Sequence, residues 1–133
     1  VIRPVNKFSN NVMTRQIYLT LGAERGGPPA TMAASRVALD ATLKSAGLGM
    51  PELVIDNGAG LSRTTRISAR SLGRLLQQAA AGPYRSEFEA SLSIAGLDGT
   101  TRRRYRRDAM AGRMHLKTGT LDGVSSIAGY VRS

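Results

Sequence analysis

The sequence predicts an α+β fold in which several helices pack on a short antiparallel sheet, and three features carry that expectation. Apolar residues recur at helical spacing in three stretches before Gly82, whereas Met114, Leu116 and Thr118 alternate with His115 and Lys117, and a β-rich run from Val124 to Val131 follows Leu121-Asp122-Gly123. Gly26-Gly27-Pro28-Pro29 and Gly82-Pro83 punctuate the helical part. At 133 residues the chain is long enough for one domain that buries roughly two thirds of its unfolded surface. No repeat, low-complexity tract or convincing second-domain boundary interrupts residues 1–133, which read as part of one domain.

Each element has a local reason. Ser9 is a candidate N-cap for a helix carrying Met13, Ile17 and Leu21 on one face, with Gly22 as its stop. A second helix is predicted from about Thr31 to Ala46, with Ala34, Val37, Ala38 and Ala41 on one stripe and Gly47 just beyond its end. Leu53-Val54-Ile55 reads as a short buried strand, followed by the small-residue loop Asp56-Asn57-Gly58-Ala59-Gly60. Ser68 caps a helix with Leu72, Leu75, Leu76 and Ala79, and Tyr84, Phe88 and Leu92 mark one more short helix. Asp122-Gly123 then joins two strands as a hairpin.

Composition excludes several classes of function. The absence of cysteine removes disulfides, thiolate metal sites and cysteine nucleophiles, and a single histidine with scattered acids gives no metal-ligand cluster. No metal or cofactor is therefore expected. His115 finds no Gly-x-Ser-x-Gly nucleophile elbow to serve, so a histidine triad is disfavoured and His115 reads as a strand residue. No apolar run reaches the roughly 20 residues of a membrane helix. The chain opens on Val1 with no leader, which suggests an excised or processed piece. Lys+Arg number 19 against Asp+Glu 9, a net charge of +10, and Arg102-Arg103-Arg104-Tyr105-Arg106-Arg107 is the densest run. A nucleic-acid-binding module built on Arg102 to Arg107 is thus the alternative, against the plainer reading of a solvated face.

Chemistry gathers around Lys117-Thr118-Gly119. A strand lysine beside a hydroxyl and a glycine can attract a carboxylate, and the glycine lets an extended ligand approach the strand's edge. Strict alternation puts Lys117 and Thr118 on opposite faces, so a site that uses both must work at that edge. Alone the tripeptide is weak. Read together with Ser9-Asn10-Asn11 it matches the paired elements of serine penicillin-binding proteins.

The whole set of motifs resembles the C-terminal part of the class C low-molecular-mass penicillin-binding proteins, the D-alanyl-D-alanine carboxypeptidase/endopeptidase family. Carrying the resemblance are Val5-Asn6-Lys7-Phe8-Ser9-Asn10-Asn11, DNGAGLSR from Asp56 to Arg63, Ala95-Gly96-Leu97-Asp98-Gly99-Thr100, and Lys117-Thr118-Gly119-Thr120-Leu121. It implies the penicillin-binding protein/serine β-lactamase-like fold and a serine-type hydrolase that cleaves peptidoglycan peptides ending in D-Ala-D-Ala through an acyl-enzyme. It implies, too, β-lactam binding by the full-length protein, and a periplasmic or extracytoplasmic bacterial setting.

By this resemblance Ser9 relays a proton to the leaving amine, Asn11 holds the substrate's amide carbonyl, and Lys117 supplies positive charge. Thr118 and Thr120 grip the terminal carboxylate across Gly119, and the Thr120 N–H forms half of an oxyanion hole. Arg63, Leu61 and Leu121 line the place of a diaminopimelate arm. Family members usually read Asp-Gly-Ser-Gly-Leu-Ser-Arg, so the serine of that element is missing from DNGAGLSR. The nucleophilic Ser-x-x-Lys is missing altogether: Lys7, Lys44 and Lys117 follow Pro4, Ala41 and Met114 by three positions. The nucleophile-bearing part is expected outside these residues, and the piece by itself is expected to be inactive.

Overall fold

The computed structural model describes residues 1–132, which form five α-helices and a three-stranded antiparallel sheet. The helices are α1 (Ile2–Phe8), α2 (Asn11–Gly26), α3 (Met32–Ser45), α4 (Ala69–Ala81) and α5 (Arg85–Ser91), and the strands are β1 (Ser93–Ile94), β2 (Met114–Leu121) and β3 (Val124–Val131). The backbone gathers into two compact units, one of Val1–Asn10 with Leu76–Ser133 and one of Asn11–Leu75. No linker composition marks the division, because it falls between neighbouring asparagines and inside α4.

In the first unit α1 corrects the sequence reading. Pro4 lies in the first helical turn, where its missing N–H would have had no intrahelical partner, so the proline does not prevent the helix. Ser9 is therefore not the N-cap of the next helix. It closes α1 in the left-handed conformation, φ 53° and ψ 51°, with its N–H on the Val5 carbonyl. Asn10 donates to the same carbonyl at 3.1 Å, and α2 begins at Asn11.

The expected hairpin forms, its register running from Met114↔Val131 to Leu121↔Val124, with Gly123 at φ +73° in the turn. β1, which the sequence did not announce, adds only Ser93↔Leu116 and Ile94↔His115 on the other side of β2. Beyond Leu116 that edge of β2 carries no strand among the described residues. α1 lies against α5 and β1. Phe88 of α5 meets the Tyr130 ring edge-on, with centroids 6.3 Å apart, and the Tyr130 hydroxyl donates to the Leu76 carbonyl at 2.7 Å.

In the second unit α2 runs past the expected stop at Gly22. That glycine is there for packing: a Cβ would meet the Ser35 backbone nitrogen of α3 at 2.7 Å. Thr31 caps α3 by accepting from the Ala34 N–H at 3.1 Å, and Gly47 follows at φ +71°, as expected. The predicted strand at Leu53–Ile55 is a correction. It is reduced to one bridge, Val54↔Arg66, because no neighbouring strand continues the ladder, and Val54 is exposed. Ser68 caps α4 through the Ser71 N–H at 3.0 Å and donates to Glu52 at 2.7 Å. Hydrogen bonds from Ser71 and Ser68 hold the exposed Glu52 carboxyl at a pKa of about 2.

Tyr18 is buried in this unit, as are Leu48 and Met50, with Gly58 so close to the Tyr18 ring that a Cβ could not fit. The Tyr18 hydroxyl is buried without a hydrogen-bond partner among the described residues. A buried, unpaired hydroxyl costs desolvation and returns nothing. Tyr18→Phe is therefore expected to leave the thermal midpoint unchanged or raise it, by the equivalent of up to about 1 kcal/mol. A clear fall would show that the hydroxyl has a partner.

Candidate active site

The site is built from the attachment of α1 to the segment that feeds the sheet. Asn6 donates to the Ser91 hydroxyl at 2.8 Å, the Ser93 hydroxyl donates to the Lys7 carbonyl at 3.1 Å, and the Lys7 ammonium pairs with the Asp98 carboxylate. Three ties thus fix the helix that ends in Ser9 to residues 91–98. Since β1 places Ser93 opposite Leu116, the same ties fix Ser9 relative to Lys117, one residue further along β2.

The outcome is a direct contact between residues 108 positions apart: Lys117 Nζ donates to Ser9 Oγ at 2.5 Å. The ammonium also donates to the Thr118 carbonyl at 2.6 Å, so it turns toward the margin of the strand. Burial lowers the Lys117 pKa below the ordinary 10.5. A half-buried ammonium beside a serine hydroxyl favours any state in which that oxygen gains negative charge or passes on a proton.

Strand geometry decides what the open edge offers. The Met114 carbonyl accepts from the Ala95 N–H at 2.9 Å, so the polar backbone groups of Met114 face β1. With a repeat of two, those of Leu116, Thr118 and Thr120 face the same way. Past Leu116 no strand among the described residues pairs with this edge, and the N–H groups of Thr118 and Thr120 face the side on which an extended ligand can lie. Thr118 is half-buried, and its hydroxyl lies 3.1 Å from that of Thr100. Gly119 and Leu121 are half-buried and Thr120 is exposed.

Asn11, Leu61 and Arg63 belong to the second unit. Asn11 Nδ2 donates to the Ala59 carbonyl in the small-residue loop at 2.6 Å, which leaves its second amide hydrogen for another acceptor. Leu61 and Arg63 are exposed. Sequence reasoning gave no role to Lys7, Ser93, Asp98 or Thr100. Lys7, Asp98 and Thr100 stand inside the motifs that carried the resemblance; Ser93 stands outside them and had no signal. His115 is buried on β2 with Nδ1 3.1 Å from the Glu89 carbonyl, a packed strand residue.

Arg102 to Arg107 is an exposed succession of turns with no ion pair among the described residues. Neither the fold nor any relative supports the nucleic-acid alternative. No helix among the described residues is long and apolar enough to cross a membrane.

The fold is similar to that of part of penicillin-binding protein 4 (dacB) from Haemophilus influenzae, solved in complex with a β-lactam: the TM-score is 0.92 at 23% identity, over 98% of this chain and 30% of that one. The model of the D-Ala-D-Ala carboxypeptidase 3 (S13) family matches residues 1–133, and the chain belongs to that family. It is 35% identical over 136 residues to a D-alanyl-D-alanine carboxypeptidase of Actinomadura sp. (strain R39), covering 98% of this chain and 25% of the relative. It is 31% identical over 136 residues to carboxypeptidase DacB of Mycolicibacterium smegmatis, covering 98% of this chain and 29% of the relative. The chain thus spans between 25% and 30% of the length of these relatives.

Proposed function

We propose that the chain is the part of a serine-type D-Ala-D-Ala carboxypeptidase that binds the terminal dipeptide of a peptidoglycan stem and moves the proton to the leaving amine. The nucleophilic serine comes from residues outside these 133, because no serine here stands three positions before a lysine. That serine attacks the penultimate D-alanine carbonyl and forms an ester; the C–N bond breaks, the D-alanine amine leaves with a proton, and water then hydrolyses the ester. A β-lactam enters by the same attack on its strained amide. The observation that carries the reading is the Lys117–Ser9 hydrogen bond at the open edge of β2, in a chain of this family.

Each group has a task in that sequence. The Ser9 hydroxyl gives its proton to the departing nitrogen and is replenished through the hydrogen-bonded relay, while the Lys117 ammonium stabilises the negative charge that grows on its oxygen. Thr118 and Thr120 bind the carboxylate of the last D-alanine, Gly119 lets the peptide lie against the strand, and the Thr120 N–H receives the oxyanion. Asn11 gives its remaining amide hydrogen to the substrate's carbonyl. Arg63, Leu61 and Leu121 serve the side arm of the stem peptide. The substrate places the full-length protein in the bacterial periplasm or outside the membrane.

The test uses the full-length protein. It is expected to release D-alanine from a D-Ala-D-Ala peptide and to take a covalent label from a fluorescent penicillin on a serine outside residues 1–133, located by mass spectrometry. No label, or a label on a serine within these residues, overturns the reading.

A further inference from the structure

Lys7 and Asp98 form a pair that the proposed reaction does not use. The Lys7 side chain is 5% exposed and that of Asp98 34%, so the lysine is the member that needs its partner. Lysines are almost never so buried unless paired, because an uncompensated ammonium in the interior costs several kcal/mol. Burial works against the Asp98 carboxylate, but the Ile94 N–H, at 2.7 Å, and the Lys7 ammonium outweigh it and hold its pKa below the usual value.

What surrounds the pair points to its purpose. The Ser93 hydroxyl is completely buried; it donates to the Lys7 carbonyl at 3.1 Å and accepts from the Thr100 N–H at 3.1 Å. Between them Gly99 adopts φ +56°, and a Cβ on it would strike the Ser93 hydroxyl and the Lys7 carbonyl, so the turn closes tightly on α1. The Thr100 hydroxyl lies 3.2 Å from that of Ser93 and 3.1 Å from that of Thr118. One connected set of polar groups therefore joins the last turn of the Ser9 helix to the carboxylate-binding hydroxyl of β2.

From this geometry we infer that Lys7, Asp98, Ser93 and Thr100 are positioning residues: the buried ion pair anchors the Ser9 helix to the Gly99 turn, and Thr100 passes that anchorage to Thr118. Thr118 stands at the margin of β2, and the Thr100 hydroxyl lies within hydrogen-bond distance of its own. Thr100, tied to Ser93 Oγ through its N–H, gives its hydroxyl hydrogen to Thr118 Oγ1, which leaves the Thr118 hydrogen for a carboxylate, and Ser9 and Thr118 keep one spacing, so proton transfer and carboxylate binding are set together.

The inference rests on the function proposed above, and the test separates the two. Thr100→Val in the full-length protein preserves shape and the N–H on Ser93 Oγ but removes the hydroxyl that reaches Thr118. An approximately ten-fold fall in kcat/KM for a D-Ala-D-Ala peptide is expected, carried mainly by KM, with Thr100→Ser restoring it to within about two-fold. Lys7→Met keeps the apolar stem and removes the ammonium; here kcat is expected to fall by about ten-fold, together with the rate of labelling by fluorescent penicillin. If both variants hydrolyse the peptide within two-fold of the unaltered protein, the positioning role is wrong. Should Lys7→Met fail to fold, the Thr100 variants decide alone, since Thr100 is exposed. An inactive unaltered protein would refute the function instead; an active one that Lys117→Ala silences and Thr100→Val leaves untouched would refute only the positioning.

Discussion

Lys117→Ala in the full-length protein is expected to lower turnover of a D-Ala-D-Ala peptide by about 10²- to 10³-fold, the size of effect seen when a positioned proton-transfer or oxyanion-stabilising group is lost. The substitution removes the donor to Ser9 Oγ and to the Thr118 carbonyl at once. Ser9→Ala is expected to cost a similar factor, and the double variant little more, because two groups that act as a unit are not additive. Lys117→Arg should not restore activity: a planar fork cannot place one point charge on both a hydroxyl and an adjacent carbonyl. Arg104→Ala, in an exposed turn, should stay within about two-fold. Comparable losses at Lys117, Ser9 and Arg104 would replace the local mechanism with a general effect of the positive field. The pH dependence has a definite sign. Burial destabilises the charged form of Lys117, so its pKa lies below 10.5. If the ammonium is the working form, the alkaline limb of kcat/KM must fall at a pH below 10.5 and disappear in Lys117→Ala. In the same window the unfolded chain holds the proton more tightly than the folded one, so this group's contribution to stability grows as pH rises.

How much of this was legible depended on the kind of signal. The hairpin could be located, since Met114 to Thr118 alternates, Val124 to Val131 is rich in strand-forming residues and Asp122-Gly123 sets the turn. α3 was equally plain through Thr31 and Gly47. α1 was missed because its seven residues are too few to show a helical period, although Pro4, in the first turn, breaks nothing. β1 has two residues, too few to show any period, yet it sets the register between α1 and β2. Leu53-Val54-Ile55 shows the opposite failure: β-branched and apolar residues state a preference, but a strand exists only where another pairs with it, and only Arg66 does. The meeting of Ser9 with Lys117 could not come from periodicity at all. It was suggested by the motifs, and its physical cause is the set of polar contacts made by Asn6, Lys7, Ser93 and Asp98, of which Ser93 alone stands outside those motifs.

Gly119 and Gly129 stand on facing strands of the hairpin and are expected to respond to alanine in opposite ways. Gly129 lies opposite Leu116 at φ +156°, and a Cβ there would drive into the His115 carbonyl and come within 2.9 Å of the Leu116 Cα. Both obstacles are backbone of the paired strand, so neither can turn aside, and the ladder itself must open. Gly129→Ala is expected to destabilise the fold by on the order of 3 kcal/mol, the upper range for overpacking, and to be read as a large fall in the thermal midpoint. Penicillin labelling should fall with it, because Lys117 follows Leu116 directly. At Gly119 the added methyl would meet only the Ser126 hydroxyl, the tip of a side chain that can rotate away. Stability should therefore change by less than about 1 kcal/mol. The methyl would nevertheless stand where an extended peptide is to lie against the strand, and Gly119→Ala is expected to raise KM for the dipeptide by about ten-fold while the melting curve stays in place. The reverse pattern, a stable Gly129→Ala and an unfolded Gly119→Ala, would mean that the strand register described here is wrong. Normal KM in a folded Gly119→Ala would mean that the substrate does not run along this edge.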